Sequence, residues 1–217
     1  MAIVRKDTYR IRRTIVWLRR WRRTRGFGVH SPSDYYFIRH VINQHCPYYA
    51  YETLNRQLLH IDRKTRKVCK LCFRIANWMQ PKQIILHGIT EQSYQQYLHQ
   101  GCQTAQIVCN TGETSARSGQ ESDIPLSSRL SPLSPLKTQL VITTADKHNR
   151  QFIDNILQYA EDNTILIVNG IHKSKQHNIL WQQLRSNNKA TITFDVYYCG
   201  IVMFNSLRTK QHYIINY

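Results

Sequence analysis

Residues 83–93 read Gln-Ile-Ile-Leu-His-Gly-Ile-Thr-Glu-Gln-Ser, "QIILHGITEQS". A short apolar run ends at a histidine and a glycine, and a polar stretch follows. The pattern predicts a buried strand running into a turn that opens a helix. In α/β proteins such a turn is where a nucleotide cofactor is commonly held, and it usually carries an acid and several glycines. Here the turn has one glycine, Gly88, and His87 stands where an acid is expected.

Working toward the C-terminus, short β-branched runs alternate with longer polar or amphipathic stretches. They predict strands at Gln83–His87, Ala105–Cys109, Gln139–Thr143, Thr164–Val168, Ala190–Tyr197, Gly200–Phe204 and His212–Tyr217. Helices are expected at 91–100, 149–161 and 174–186. The βαβ alternation through Val168 implies a parallel sheet with helices on its faces. The last three strands follow one another with little between them, which predicts an antiparallel ending. Residues 111–137, rich in Ser, Pro and Gly, read as a long surface loop where the alternation would place a helix. A loop of that length is functional or disordered.

Working toward the N-terminus, "RKTRKVCKLCFRIANWMQ" predicts a helix, with Val68, Leu71, Cys72, Ile75 and Met79 at spacings of three and four. Shorter helices are expected after Pro47 and after Ser31 or Ser33, either of which can cap a helix through Ile42, with Pro32 in its first turn. Residues 7–25, "DTYRIRRTIVWLRRWRRTR", predict an amphipathic helix capped by Gly26. Ile11, Ile15 and Leu18 lie beside Trp17 and Trp21, with arginines on the other side. Two readings stand. The helix lies on an acidic lipid surface or a nucleic acid backbone, or it packs its Trp/Ile face on the domain with its arginines in water. The organisation expected is a basic N-terminal helical region over 1–80 and a Rossmann-like domain over 81–217.

The charge is uneven. The chain of 217 residues carries a net +17, and residues 1–74 hold 18 Lys and Arg against 4 Asp and Glu. That concentration predicts an anionic partner, through residues 5–25: nucleic acid, another polyanion, or an acidic membrane surface. The apolar runs are too short to span a bilayer and no signal peptide is expected. The six cysteines show no disulfide framework and fit a reduced, cytoplasmic protein, peripheral on the inner membrane surface if the helix binds lipid. Cys69-Lys-Leu-Cys72 lacks a second pair to complete a zinc site, and Cys72 falls on the apolar stripe. No serine–histidine–acid order or P-loop is visible.

The stretches "GVHSPS" (28–33), "YYAYE" (48–52), "IILHGIT" (84–90), "LVITTADKH" (140–148), "ILIVNGIHKSK" (165–175) and "DVYYCGIVMFNSLRTKQHYIINY" (195–217) carry a resemblance. The chain resembles class I S-adenosylmethionine (SAM) dependent methyltransferases, and within them a bacterial group with an N-terminal "GVHSPF". The resemblance covers most of the chain except 111–137. It implies a seven-stranded, mostly parallel sheet with an antiparallel C-terminal hairpin.

The same resemblance assigns positions to a SAM site, and this sequence departs from them. Gly88 and Thr90 match a family turn of the type "ELGTSLG", but its acid becomes His87 and its second glycine becomes Gln92 or Ser93. The ribose-binding acid after the second strand maps to Asn110, which hydrogen-bonds without charge assistance. The acid of "FIDG" maps to Thr143-Thr144-Ala145, with Asp146 close in register and able to stand in partly. The acidic pair of "DDIH" maps to Asn169 and Gly170, leading to His172. In metal-dependent relatives these carboxylates bind magnesium, so no metal is expected here. The cofactor-binding positions are therefore Gly88, Thr90, Asn110, Thr144 and Asn169. His30 and His172 read either as a base or substrate contact at the pocket mouth or as capping and packing residues. Tyr35, Tyr36, Tyr48, Tyr49 and Tyr51 read either as a stacking surface or as core. The function expected is a methyltransferase-like protein with weakened or lost SAM use that binds an anionic partner. The alternative is an active SAM-dependent methyltransferase with a divergent pocket, acting on a small-molecule or nucleic-acid-linked substrate.

Overall fold

The computed structural model describes residues 14–16, 18–21, 28–110 and 138–217. The expected loop at 111–137 and most of the expected helix at 7–25 lie outside them; residues 14–16 and 18–20 are helical. The helices are α1 (Pro32–Phe37), α2 (Tyr49–Gln57), α3 (Arg63–Met79), α4 (Gln92–Gly101), α5 (Arg150–Tyr159) and α6 (Lys175–Ser186). The strands are β1 (Gln83–His87), β2 (Gln106–Asn110), β3 (Gln139–Thr144), β4 (Thr164–Asn169), β5 (Ile192–Asp195), β6 (Cys199–Met203) and β7 (Gln211–Ile214).

The seven strands form one sheet in the order β2-β1-β3-β4-β6-β5-β7. The β2-β1-β3-β4 run is parallel. Only β6 runs against its neighbours, antiparallel to β4 and to β5. The antiparallel ending is thus the β5–β6 hairpin alone, because β7 pairs parallel with β5. Residues 204–210 cross the start of β5 and return the chain beside it, in register Ile192↔Gln211. Thr191 fixes this crossing: its Oγ1 accepts from Asn205 N at 2.9 Å, and its carbonyl accepts from Gln211 N at 2.7 Å. Connection length alone does not reveal a crossover of this kind.

Strand residues alternate between two cores, as the pleat requires. Ile84, Leu86, Leu140, Ile142, Ile165, Ile167 and Phe194 face one core, which α1–α4 complete with Phe37, Leu71, Ile75 and Tyr97. Ile85, Val141, Leu166, Val168 and Val202 face the other, closed by Phe152, Ile156, Trp181 and Leu184 of α5 and α6. Each such side chain contributes about 1.5–3 kcal/mol on burial. A Cβ at Gly200 would lie 2.3 Å from the Trp181 ring, so the α6 indole packs directly on the β6 backbone. Cys69 and Cys72 are fully buried in the first core. Burial pushes the Cys69 thiol up to about 12, which keeps it protonated and unreactive.

The "HSPSD" stretch is a structural joint. Ser31 caps α1 by accepting from Asp34 N at 3.4 Å. Asp34, 2% exposed, accepts from Arg208 Nη1 at 2.8 Å, Arg208 Nη2 at 2.9 Å and the Tyr213 hydroxyl at 3.0 Å. These contacts tie α1 to the crossing loop and β7. The expected helix through Ile42 changes character: residues Ile38–Ile42 form a π turn, closed by Asn43 N donating to Ile38 O.

Of the expected apolar set, Ile15, Leu18 and Trp21 are 45%, 60% and 61% exposed, while Ile11 and the Trp17 side chain lie outside the described residues. Arg20 turns inward and binds Asp195 at 2.8 Å. The pair matters to the carboxylate at the end of β5, because an unpaired buried charge is costly.

Candidate functional site

Ligands of open α/β sheets bind outside the carboxyl ends of the strands, where the strand order reverses. That point here is the β1/β3 boundary, since the chain goes from β1 outward to β2 and then back to β3. The register places His87 beside Asn110 and Thr143, and Thr144 beside Asn169. A cleft of about 140 Å³ opens there, lined by Ile89, Glu91, Tyr94, Thr144, Asp146, Asn169 and neighbours.

Gly88 adopts φ +64°, which favours glycine. A Cβ on Gly88 would lie 2.6 Å from Asn149 Nδ2. The space that glycine provides is therefore occupied by the protein's own Asn149, whose amide donates to Thr144 Oγ1 at 2.6 Å. Thr144 serves as the acceptor that holds it. His87 stacks on Phe152 with ring centroids 3.8 Å apart and planes 10° from parallel. Burial lowers its pKa, so the ring is neutral near pH 7 and acts as an apolar partner of α5. Thr90 is exposed in the turn.

Asn110 ends β2, and its carbonyl accepts from Gly88 N at 3.0 Å. Asn169 ends β4 and donates from Nδ2 to the Tyr94 hydroxyl at 3.1 Å. Among the described residues, Asn110 Oδ1, Asn169 Oδ1, Thr143 Oγ1 and His87 Nδ1 are buried without a hydrogen-bond partner. All four lie at or next to the carboxyl ends of β1–β4, and Asn169 lines the cleft.

Carboxylates do reach the cleft, from positions the sequence placed elsewhere or only in part. Glu91 lies at the start of α4. Asp146 follows β3, and its Oδ1 lies 2.9 Å from His177 Nε2. Burial raises the Asp146 pKa, but the Thr144 hydrogen bond and the charges of His177 and Lys173 outweigh it and hold it low. Ser174 Oγ contacts His177 Nδ1 at 2.6 Å and accepts from His177 N, capping α6. This serine, histidine and acid come together through a helix cap, with no signature in their sequence order. No group of three His, Cys, Asp or Glu suited to a metal ion occurs among the described residues.

His172 is not at the cleft. Its Nδ1 accepts from Asn178 Nδ2 at 2.9 Å, leaving Nε2 to donate to Asp195 Oδ2 at 2.7 Å. Arg20 grips both oxygens of the same carboxylate. Burial raises the Asp195 pKa, yet the hydrogen bonds from His172 and Arg20 and the Arg20 charge win and hold it well below the usual carboxylate range. His172 is a positioning group in an ion cluster, with both ring nitrogens engaged by the protein. His30 is exposed ahead of α1. Pairings such as Arg20 with Asp195, 175 residues apart, leave no local sequence signal.

No protein-family description matches the chain, and no curated protein does. Among solved structures it is similar to the SAH-bound methyltransferase PaMTH1 of Podospora anserina, with a TM-score of 0.50 and 13% identity over 82% of this chain and 97% of that one. At that identity the likeness is one of fold. The chain has a Rossmann-like, methyltransferase-like fold: a mostly parallel seven-stranded sheet with an antiparallel C-terminal hairpin. No helix among the described residues is long and apolar enough to cross a membrane.

Proposed function

We propose that this chain is a methyltransferase-like protein with weakened SAM use that works by binding an anionic surface through its N-terminal region. The observation that carries the first half is the filled glycine turn. SAM needs backbone to approach its methionine moiety and a carboxylate to accept from its ribose. Asn149 takes the first space, and Asn110 supplies an uncharged amide for the second. A 140 Å³ cleft is also smaller than the roughly 300 Å³ at which small-molecule sites begin. The residues present do not fit a tightly held SAM. The second half rests on the +14 carried by residues 1–74 and on the exposed Ile15 and Leu18. Apolar side chains among arginines suit an acidic lipid interface.

A second reading, an active SAM-dependent methyltransferase of a small-molecule or nucleic-acid-linked substrate, is favoured by the orphaned Asn110 and Asn169 oxygens and by Glu91 at the cleft. The likeness to an SAH-bound methyltransferase supports it too. Methyl transfer asks little of side chains beyond positioning. Calorimetry with SAM and S-adenosylhomocysteine decides between the two: micromolar binding establishes the enzyme reading, and silence at millimolar concentration removes it. Flotation with acidic liposomes, run beside salt-dependent nucleic acid binding, tests the surface. Loss of flotation on Leu18→Asp is the expected result.

A further inference from the structure

β4 ends at Asn169, and the chain turns through Gly170, at φ +75°, to reach α6. Ser174 is the N-cap of that helix, and its Oγ accepts from His177 N at 3.4 Å. The same Oγ lies 2.6 Å from His177 Nδ1, and His177 Nε2 lies 2.9 Å from Asp146 Oδ1. Asp146 follows β3, 31 positions earlier in the chain. Two separate βα connections therefore meet at one imidazole.

The protons on this chain of contacts can be placed. Asp146 is held as a carboxylate near neutral pH and accepts from its neighbours. A neutral imidazole then carries its proton on Nε2 and turns the Nδ1 lone pair toward Ser174. The hydroxyl has one proton and two lone pairs, so it donates to Nδ1 while it accepts from His177 N. That is the order of nucleophile, base and orienting acid by which a serine is activated. Either ring nitrogen serves as the base once a carboxylate holds the other. Ser174 is exposed, while the His177 side chain is 13% exposed, so the nucleophile is reachable and the base is shielded. His172 offers a contrast: its nitrogens meet Asn178 and Asp195, and no hydroxyl is paired with it.

The surroundings suit an acyl group. Ser174 heads a helix of 12 residues, whose first-turn amides have no intrahelical acceptor. His177 N is taken by Ser174 Oγ, which leaves the N–H groups of Lys175 and Gln176 beside the hydroxyl. The amide after a nucleophilic serine is a usual donor to the oxyanion that forms there. His177 and Asp146 also line the 140 Å³ cleft, with Ile89 and Tyr94. At roughly 30 Å³ per small non-hydrogen group, the cleft takes a short acyl chain and excludes a long one.

We propose that Ser174 is a nucleophile toward short-chain carboxylic esters, with His177 as its base and Asp146 as the positioning residue. Ser174 Oγ bonds to the ester carbonyl carbon as its proton passes to His177 Nδ1. The carbonyl oxygen becomes an oxyanion and accepts from the first N–H groups of α6. The ester C–O bond then breaks, and the alcohol leaves with the proton from His177. Water attacks the acyl-serine, gives a proton to the same nitrogen, and releases a carboxylic acid and the serine hydroxyl.

The test is labelling of the full chain with diisopropyl fluorophosphate, read by peptide mass, with hydrolysis of 4-nitrophenyl acetate as the rate. An adduct is expected on Ser174, formed with loss of fluoride. None is expected on Ser206, whose hydroxyl meets Asp162 at 2.9 Å and no histidine. Ser174→Asn keeps an N-cap side chain and removes the nucleophile. It should lose the adduct and at least about 100-fold in ester hydrolysis, and His177→Gln should do the same. Asp146→Asn should lower kcat about tenfold with KM unchanged, a split that a loss of folded protein would not give. 4-Nitrophenyl octanoate should be cleaved at least about tenfold more slowly than the acetate. Melting curves report whether each variant folds, and the adduct on the parent depends on none of them. Labelling requires no cofactor, so it reads Ser174 whatever calorimetry with SAM gives. The proposal is overturned if the parent takes no adduct on Ser174, if folded Ser174→Asn hydrolyses the acetate like the parent, or if the octanoate is cleaved as fast.

Discussion

Two recesses lie along the carboxyl edge of this sheet, and their linings are unlike. The cleft at the ends of β3 and β4 is about 140 Å³ and is walled by the Asn169 amide, the hydroxyls of Tyr94 and Thr144, two acids, Lys173 and His177. The recess by α3 and the β5–β6 turn is about 1020 Å³ and is walled by tyrosines and lysines. In the first, a protein side chain, Asn149, fills the space a glycine left open. In the second, protein side chains hold one another in place around an open volume. A strand edge thus supplies a location, while the residues in the following turns decide what it can hold. Between the two sits the Arg20–Asp195–His172 cluster. Tyr197, on the recess side, stacks on the His172 ring at 5.7 Å.

That cluster is where the comparison is most easily broken. Asp195→Ala leaves Arg20 without its buried partner and frees Tyr197 N, and should cost about 3–5 kcal/mol in urea unfolding. A loss well below 1 kcal/mol would mean that the cluster does not separate the two recesses. Acid titrates the same group. Because the folded Asp195 carboxyl lies below its ordinary 3.8, the unfolded chain takes up the proton first as pH falls. Its contribution is fully present at neutral pH and declines as pH drops through the ordinary carboxylate range toward the folded value. Melting temperature should therefore fall more steeply on acidification in the parent than in Asp195→Asn.

The cleft can be sharpened by adding charge and space. Asn110→Asp combined with Asn149→Ala places a carboxylate at the end of β2 and empties the turn. S-adenosylhomocysteine should then bind at least about tenfold tighter, roughly 1.4 kcal/mol, by calorimetry. An unchanged affinity would show that neither residue limits the cofactor. The smallest effect belongs to the rim of the recess. Glu52 and Arg56 pair with side chains 74% and 78% exposed, so Glu52→Gln should change stability by less than about 0.5 kcal/mol.

The sheet was legible because β-branched runs such as Ile84–Leu86 and Ile165–Val168 announce buried strands regardless of their partners. The direction of β7 was not, since it depends on a crossing held by Thr191. Asp146 could be flagged from its register after β3, as could Asn110 and Asn169 from theirs at the ends of β2 and β4. Asn149 was invisible as the occupant of the Gly88 turn, because that contact arises from how α5 is approached. The "HSPSD" and "SLR" stretches look unrelated along the chain, yet Asp34 and Arg208 form one buried ion pair. Lys67, Lys70 and Arg74 read as an ordinary basic helix face until the tyrosines are brought over them.

The close seating of Trp181 on Gly200 also has a spectroscopic consequence. Trp181 is 2% exposed, while Trp21 and Trp78 are 61% and 47% exposed. Its indole should emit to the blue of theirs and resist acrylamide quenching, so the blue component reports the integrity of β6. A red shift ahead of the loss of far-ultraviolet ellipticity would show this strand detaching before the helices melt.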